Sequence, residues 1–547
     1  MSANLLTPLD CLYKWEKNTP TKTYLRQPRN RVWQEYSWQD VADEARRMAA
    51  ALNSLNLEKG SRVAIISKNC AEWIISDLAI MMSGCISVPL YPTQSDDSIK
   101  FVLEHCGASV VFVGKLDNPE QIQNIIPKNI IQIGYNYEGI HAPLMWNDLI
   151  KQHAPIENPY HPKMDDIYTI VYTSGTTGNP KGVVNDFKSA SFVASHAVPE
   201  FNLIPEDHSV SFLPLAHVAE RVLVELPSLY AGFTVSFVES LDTFAEDLRL
   251  VNPTRFFSVP RLWTKFQMGI LEKMPQKKLN RLLSIPLLNR VVKKKIRQGL
   301  GLDNAHTFIS GAAPLSVSTM QWFSRLGINI QEGYGMSENW AYGTINRSDD
   351  IRFGTVGKPM REGEIKISEE GEVLIKSPAT MRGYYLDEEK TREVIKNGYY
   401  HTGDKGEVCG DGFLKITGRI KDTFKTAKGE FITPSHIESL ILENTNVEQV
   451  CVMGLGLPQP MALVVLSEQA QQLDKRDVDK TLQATYQKVN KILKSHEVLN
   501  GLLVVKEEWL PENGLMTPTL KVKRNEVADY YQNLVQQYSE SKAVVWE

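Results

Sequence analysis

From Ser37 to Val113 the chain repeats one pattern, an amphipathic helix followed by a short strand that is apolar on both faces. Ser37 with Asp40 forms a capping-box signature, Asp standing where Glu is usual, and Val41, Ala45, Met48, Leu52 and Leu55 then fall on one helical face up to Leu57. Arg62 to Ser67 reads as a buried strand between Gly60 and Asn69. A second helix begins near Ala71, and strands follow at Ile86 to Leu90, Ser109 to Val113 and Ile130 to Ile133. Strands without a polar face need cover on both sides, so the pattern predicts an α/β fold with a mainly parallel sheet between helical layers.

A chain of 547 residues is too long for one compact core, and at least two domains are expected. After Gly354 the pattern changes to short strands with turns, at Glu364 to Ser368, Glu372 to Lys376 and Gly412 to Thr417, which predicts a small β-rich subdomain. Beyond Arg419 strands at Gln449 to Met453 and Ala462 to Leu466 mix with a polar helix from Asp474 to Ser495. A boundary at Lys421 is therefore expected, giving residues 1–420 and 421–547.

The formal net charge of -4 gives no reason to expect nucleic-acid binding. Six scattered cysteines, none in a Cys-x-x-Cys pair, point to a reduced compartment without structural zinc or disulfides. Met1 to Asp10 does not read as a secretory signal. The most apolar stretch, Trp73 to Leu90, is interrupted by Asp77 and Gly84 and reads as a buried helix plus a strand, not a membrane span. A cytoplasmic protein is expected.

The strongest local signal runs from Tyr172 to Val184, as Tyr-Thr-Ser-Gly-Thr-Thr-Gly-Asn-Pro-Lys-Gly-Val-Val. It follows an apolar strand, Tyr168 to Tyr172. Gly175, Gly178 and Gly182 permit close backbone approach, successive N–H groups can cradle anionic oxygens, and Ser174, Thr176, Thr177 and Lys181 add donors and charge. It is not a Walker loop, because Pro180 precedes the lysine and no Ser or Thr follows it. A plain surface turn has no need of so long an ordered run.

This segment resembles the phosphate-binding loop of the adenylate-forming superfamily, which includes acyl-CoA synthetases, peptide-synthetase adenylation domains and firefly luciferases. Further motifs follow in that family's order. Gln331-Glu332-Gly333-Tyr334-Gly335-Met336-Ser337-Glu338 resembles its second core motif. The resemblance implies that Glu338 and Thr173 bind Mg²⁺, that Tyr334 stacks on adenine, and that Gly333 and Gly335 leave room for nucleotide and acyl group. Ser310-Gly311-Ala312-Ala-Pro314 would border the adenine and the acyl carbonyl. Tyr400-His-Thr-Gly-Asp404 resembles the motif whose aspartate accepts hydrogen bonds from both ribose hydroxyls. In Gly418 to Pro434, Arg419 would contact ribose or phosphate, Lys421 would be the interdomain hinge, Lys425 would join the nucleotide site, and Gly429 would line the CoA tunnel.

Thr517-Pro-Thr-Leu-Lys521 aligns with the catalytic-lysine motif, whose lysine neutralises charge on the carboxylate and α-phosphate. The residue before that lysine is usually glycine; here it is Leu520, and Lys523 lies close by. The plainer reading is a basic patch on a solvated loop. Leu213 to Arg221 and Pro253 to Trp263 are similar to long-chain fatty acyl-CoA synthetases, which would set His217 near the acyl channel and Trp340 and Tyr342 along the acyl tunnel. The implied cofactors and substrates are ATP, Mg²⁺, CoA and a fatty acid, and the implied C-terminal domain is small, α+β and mobile.

Three alternatives stand beside this expectation. One is a fatty acyl-AMP ligase serving an acyl carrier protein, against which the short stretch from Glu338 to Pro359 leaves no room for the insertion such relatives carry. Another is an inactive nucleotide-binding homologue. A light-emitting oxygenase is the third, since fold does not fix function. Finally, Lys273 to Arg297 carries nine Lys and Arg residues interleaved with leucines and isoleucine, and Pro286 should split it into two helices. It reads either as an interfacial segment in peripheral contact with anionic membrane or, as the sequence alone favours, as a solvated helical face over a core.

Overall fold

The structure, a computed structural model, describes residues 5–173, 179–517 and 520–547. Two large sheets dominate it where the sequence suggested one. The first has eight strands in the order Gly383–Tyr384, Lys181–Asp186, Ile167–Thr173, Ile86–Leu90, Arg62–Ile66, Ala108–Val113, Ile131–Gly134 and Leu144–Met145. Its strands are parallel from Ile167–Thr173 to Leu144–Met145, and the first two add on antiparallel. The second has nine strands, parallel from Ile330–Tyr334 to Thr23–Arg29, with antiparallel edges at Thr344–Ile345, Lys358–Pro359 and Val32–Ser37.

One apolar cluster joins the inner faces of both sheets through the helices between them, Trp38–Ser54 and Ala71–Met82 among them. The capping box of Ser37 with Asp40 starts the first of these helices. Every residue of Ala71–Met82 is buried, which explains a helix that is mostly apolar all round, with Glu72, Ser76 and Asp77 buried among the rest. No described helix is long and apolar enough to cross a membrane. Helix Asp96–Cys106 covers the outer face of the first sheet. Helices Pro260–Lys273 and Val317–Arg325 cover that of the second.

The β-rich subdomain is an antiparallel five-stranded sheet containing Glu364–Ile367, Glu372–Lys376, Tyr399–Val408 and Leu414–Arg419. Further on, Val447–Met453, Met461–Leu466, Gly501–Val505 and Val544–Trp546 pair only with one another. This last sheet carries an apolar cluster on each face, one of them under helix Lys475–Ile492.

The basic segment departs from the reading that the sequence favoured. Pro286 does divide it, into helices Gln276–Leu283 and Pro286–Leu300. Leu279 and Val292 are buried against the core, but Ile285, Leu287, Leu288 and Val291 are 42%, 82%, 42% and 50% exposed. The segment thus covers a core on one side and carries apolar residues into solvent on the other, because two short helices have more leucine and valine than one contact face can absorb.

Candidate active site

The antiparallel strands Ile167–Thr173 and Lys181–Asp186 place Thr173 directly opposite Lys181. The intervening residues Ser174, Gly175, Thr176, Thr177 and Gly178 lie outside the described residues. Both Thr173 and Lys181 line a cleft of about 2220 Å³ that opens between the two large sheets, the β-rich subdomain and the C-terminal sheet. The Lys181 ammonium is held below its ordinary pKa by desolvation and then by the charges of Lys390 and Lys421, against Asp387 and Glu338. Lys181, Lys390 and Lys421 thus converge, an arrangement that favours a polyanion.

The strand Ile330–Tyr334 runs into a single 3₁₀ turn, Ser337–Asn339. A Cβ on Gly335 would sit 2.4 Å from the Ala341 backbone, so only glycine lets the chain fold back there. Trp340 and Ala341 follow in the left-handed region, with φ of 53° and 52°. This closed turn presents Glu338 to the cleft. Its backbone carbonyl accepts from the Met381 N–H at 2.7 Å, and its Oε1 accepts from the Tyr384 hydroxyl at 2.8 Å. Gly333, Tyr334, Met336 and Ser337 also line the cleft, as do Gly311 and Ala312. Glu332 is buried, accepts from the Leu315 N–H at 2.9 Å, and has its pKa pushed up to about 7 by that burial.

Beside Tyr334, Asp404 accepts from its hydroxyl at 2.6 Å and from Arg419 Nε at 2.8 Å. A second charged group enters from the C-terminal sheet. Lys521 lines the cleft and its side chain is exposed there. Its pKa is lowered by desolvation and then by Arg419, against Asp404 and Glu338. Leu520, before it, has φ of 58°, the conformation that the family's usual glycine adopts freely.

His217 lies at the cleft wall within the field of Lys521. Burial and then Lys521 lower its pKa to about 4. Its Nδ1 accepts from the Ala219 N–H at 3.1 Å, so the neutral ring carries its proton on Nε2. The apolar part of the wall includes Ala197, Phe201, Ala219, Val222, Leu223 and Tyr342, a lining suited to an alkyl chain.

Not every expected residue joins the cleft. Gln331 is buried in its strand and absent from the cleft wall. Trp340 is not a tunnel residue: it is fully buried, donates Nε1–H to Ser189 Oγ at 3.0 Å and stacks on Tyr168. Ala341 and Tyr342, the next two residues, do line the cleft. Lys425 lies over the Phe431 ring, outside the cleft, and exposed Gly429 also lies outside it. Lys421 lines the cleft.

Three participants were not singled out from the sequence. Tyr384 reaches Glu338 only because Gly383–Tyr384 pairs with Val183 and Val184, a contact across about two hundred residues. Lys390 sits in Asp-Glu-Glu-Lys-Thr-Arg, which reads as an ordinary solvated helix. Arg221 is fully buried among Asp77, Glu225, Tyr168 and Thr169, beneath Trp340.

Among the described residues no group of three or more His, Cys, Asp or Glu could hold a metal. Glu338 and Thr173 nevertheless fit Mg²⁺, which takes hard oxygen donors and is commonly bound by one or two carboxylates plus substrate phosphates and water.

A family model described as "AMP-binding enzyme" matches residues 12–385, and one described as "AMP-binding enzyme C-terminal domain" matches residues 421–542. The chain is 30% identical to long-chain-fatty-acid–CoA ligase 5 of Rattus norvegicus, over 96% of this chain and 86% of that protein. It is 27% identical to a long-chain-fatty-acid–CoA ligase of Mycobacterium bovis, over 95% of each. Among solved structures it resembles the adenylation domain of a carboxylate reductase from Mycobacterium chelonae, with TM-score 0.84, 22% identity, and 98% and 91% of the two chains covered. An AMP complex of o-succinylbenzoate coenzyme A synthetase from Bacillus subtilis gives TM-score 0.75 at 21% identity, with 94% and 97% covered.

Proposed function

We infer, from a chain that belongs to the AMP-binding enzyme family and is an AMP-forming acid–thiol ligase using ATP, Mg²⁺ and CoA, that its acid is a long-chain fatty acid. The two long-chain ligases to which it is similar over nearly its whole length and the apolar wall beyond His217 support that substrate. In the first step a carboxylate oxygen attacks the α-phosphorus of ATP, the bond to the bridging oxygen breaks, and pyrophosphate leaves. Catalysis is then a matter of position and charge. Lys521 neutralises charge between carboxylate and α-phosphate. Lys181, Lys390 and Lys421 face the departing pyrophosphate. Asp404 holds the ribose, and the His217 Nε2–H donates to a carboxyl oxygen. Mg²⁺, held by Glu338 and Thr173, would supply further charge neutralisation at the phosphates.

In the second step the CoA sulfur attacks the acyl carbonyl and AMP leaves. We assign residues 1–420 to a fixed domain and 421–547 to one that turns about Lys421, withdrawing Lys521 and presenting Gly429. The observation that carries this reading is the position of Lys521 among Arg419, Asp404 and Glu338 while Gly429 stays outside the cleft.

The test follows AMP and acyl-CoA by mass spectrometry with ATP, Mg²⁺, CoA and fatty acids of graded length, for the wild type and Lys521→Ala. Both products should form, with one preferred length. Lys521→Ala should lose acid-dependent ATP–pyrophosphate exchange by 100-fold or more, a loss of about 3 kcal/mol in transition-state stabilisation, yet convert supplied acyl-AMP to acyl-CoA. Equal loss of both steps removes the role given to Lys521, and acyl-AMP without acyl-CoA removes CoA as acceptor.

A further inference from the structure

The helical hairpin of Gln276–Leu283 and Pro286–Leu300 has more exposed apolar surface and more unpaired positive charge than its fold requires. Its contact with the core is made by buried Leu279 and Val292, with Leu282, Leu283, Ile296 and Leu300 half-buried beside them. Ile285, Leu287, Leu288 and Val291 point the other way, and Leu287 is 82% exposed. These four gather at the tip, where Ser284 and Ile285 join the two helices.

Positive charge surrounds that tip. Residues 273–297 contain nine Lys and Arg and no Asp or Glu, in a chain whose net charge is -4. Arg297 is committed to the carbonyls of Leu302, Asp303 and Ala305. Among the described residues none of the other eight makes an ion pair. Helical spacing puts Leu287, Val291, Lys294 and Lys295 on one stripe, and Lys277, Lys278 and Arg281 on the exposed side of the partner helix. Seven residues of helix separate Leu287 from Lys294, roughly 10 Å along the axis. That matches the depth of a bilayer interface, in which an apolar face sinks about 5–10 Å while basic residues stay among the headgroups.

We propose that this hairpin docks the protein on an anionic lipid bilayer, with Ile285, Leu287, Leu288 and Val291 entering the interface and the flanking lysines and arginines contacting lipid phosphates. A projecting leucine tip ringed by cations suits a deformable apolar layer under a negative surface. A nucleic acid offers the leucines nothing. The hairpin continues from helix Pro260–Lys273, whose Leu262, Phe266 and Met268 line the cleft. Docking would therefore bring the cleft rim toward the layer where a long-chain acid resides; this last clause alone rests on the proposed substrate.

The experiment uses the full chain without ATP, CoA or fatty acid, so it does not depend on the catalytic reading. Sucrose-loaded vesicles of phosphatidylcholine, alone or with one-third phosphatidylglycerol, are sedimented with the wild type, with Leu287→Asp/Leu288→Asp and with Lys294→Glu/Lys295→Glu. The wild type should partition onto the anionic vesicles at low salt and lose at least tenfold at high salt. Each double variant should bind at least tenfold more weakly, since each lysine near an anionic surface contributes roughly fivefold, with its thermal unfolding midpoint unchanged. The charge variant keeps the test decisive if the leucine variant fails to fold. Absence of vesicle binding, equal binding to both compositions, or binding indifferent to both variants overturns the proposal. So does a leucine variant that converts a dimer to a monomer while vesicle binding stays the same, which would assign the tip to a second copy of this chain.

Discussion

Arg221→Met is the substitution with the clearest physical consequence. Arg221 is 0% exposed and donates Nη2–H to Asp77 at 2.6 Å, Nε–H to Glu225 at 2.8 Å and Nη1–H to Thr169 Oγ1 at 3.0 Å. Its guanidinium also lies 4.6 Å from the Tyr168 ring centroid and 5.9 Å from that of Trp340. Burial opposes the charge, but Asp77 and Glu225 outweigh it and raise the arginine's pKa. One guanidinium cannot balance two buried carboxylates, and burial followed by the Asp77 charge pushes Glu225 up to about 8 although Arg221 opposes the shift. Methionine keeps much of the volume and removes the cation, leaving Asp77 buried and uncompensated, a loss of about 3–5 kcal/mol. That is roughly a 150- to 5000-fold drop in the folding constant. Urea unfolding followed by tryptophan fluorescence measures it. Arg221→Met/Asp77→Asn/Glu225→Gln should recover more than half of the loss, because no charge stays buried. A cost below about 1 kcal/mol, or a triple variant no better than the single one, would refute the reasoning.

Tyr384→Phe removes the hydroxyl that orients Glu338 and should raise the Mg²⁺ concentration for half-maximal activity roughly tenfold; an unchanged Mg²⁺ dependence shows that the contact does not position the carboxylate. Leu520→Gly releases a left-handed leucine costing about 1–2 kcal/mol against a glycine entropy cost of about 0.5–1 kcal/mol. The C-terminal sheet should gain about 0.5–1 kcal/mol in urea unfolding, and a loss of stability contradicts this account. His217 should titrate near 4 in a histidine NMR experiment, well below its ordinary 6.5. Between those values the unfolded chain binds a proton that the native ring does not, so this group's contribution to stability is lost as pH falls through that window. A midpoint between about 6 and 7 would mean that the ring is not desolvated.

Much of this architecture is legible locally. The capping box at Ser37, the strands at Arg62 and Ile86 and the break at Pro286 follow from short-range rules, and each stands within a residue or two of its expected place. The existence of two sheets is not local. Strands Thr23–Arg29 and Thr234–Phe237 pair across some two hundred residues, and nothing in either segment names its partner. The site divides the same way. Glu338, Asp404 and Lys521 lie in motifs with an order along the chain, whereas Tyr384, Lys390 and Arg221 acquire their neighbours only through tertiary pairing. Trp340 lies buried behind the cleft wall that Ala341 and Tyr342 line, a direction that proximity to Glu338 in sequence does not give.

The two-residue strand Gly383–Tyr384 serves both sides of the cleft at once. Arg382 and Tyr385 donate to the carbonyls of Val184 and Gly182, beside Lys181, while Met381 and Tyr384 donate to Glu338. A Cβ on Gly182 would come within 2.8 Å of Ile170 Cγ2 and 3.1 Å of both Tyr172 and Tyr385, so the neighbouring strand and the segment at 385 together fix the spacing here. Substitutions here cannot be inherited singly without cost. A larger residue at position 182 would demand compensation at positions 170, 172 and 385 together, and a shift at 385 would be felt at position 338. Positions 181–184, 338 and 381–385 should therefore behave as one epistatic group, in which pairs of changes survive a mutational scan that neither member survives alone.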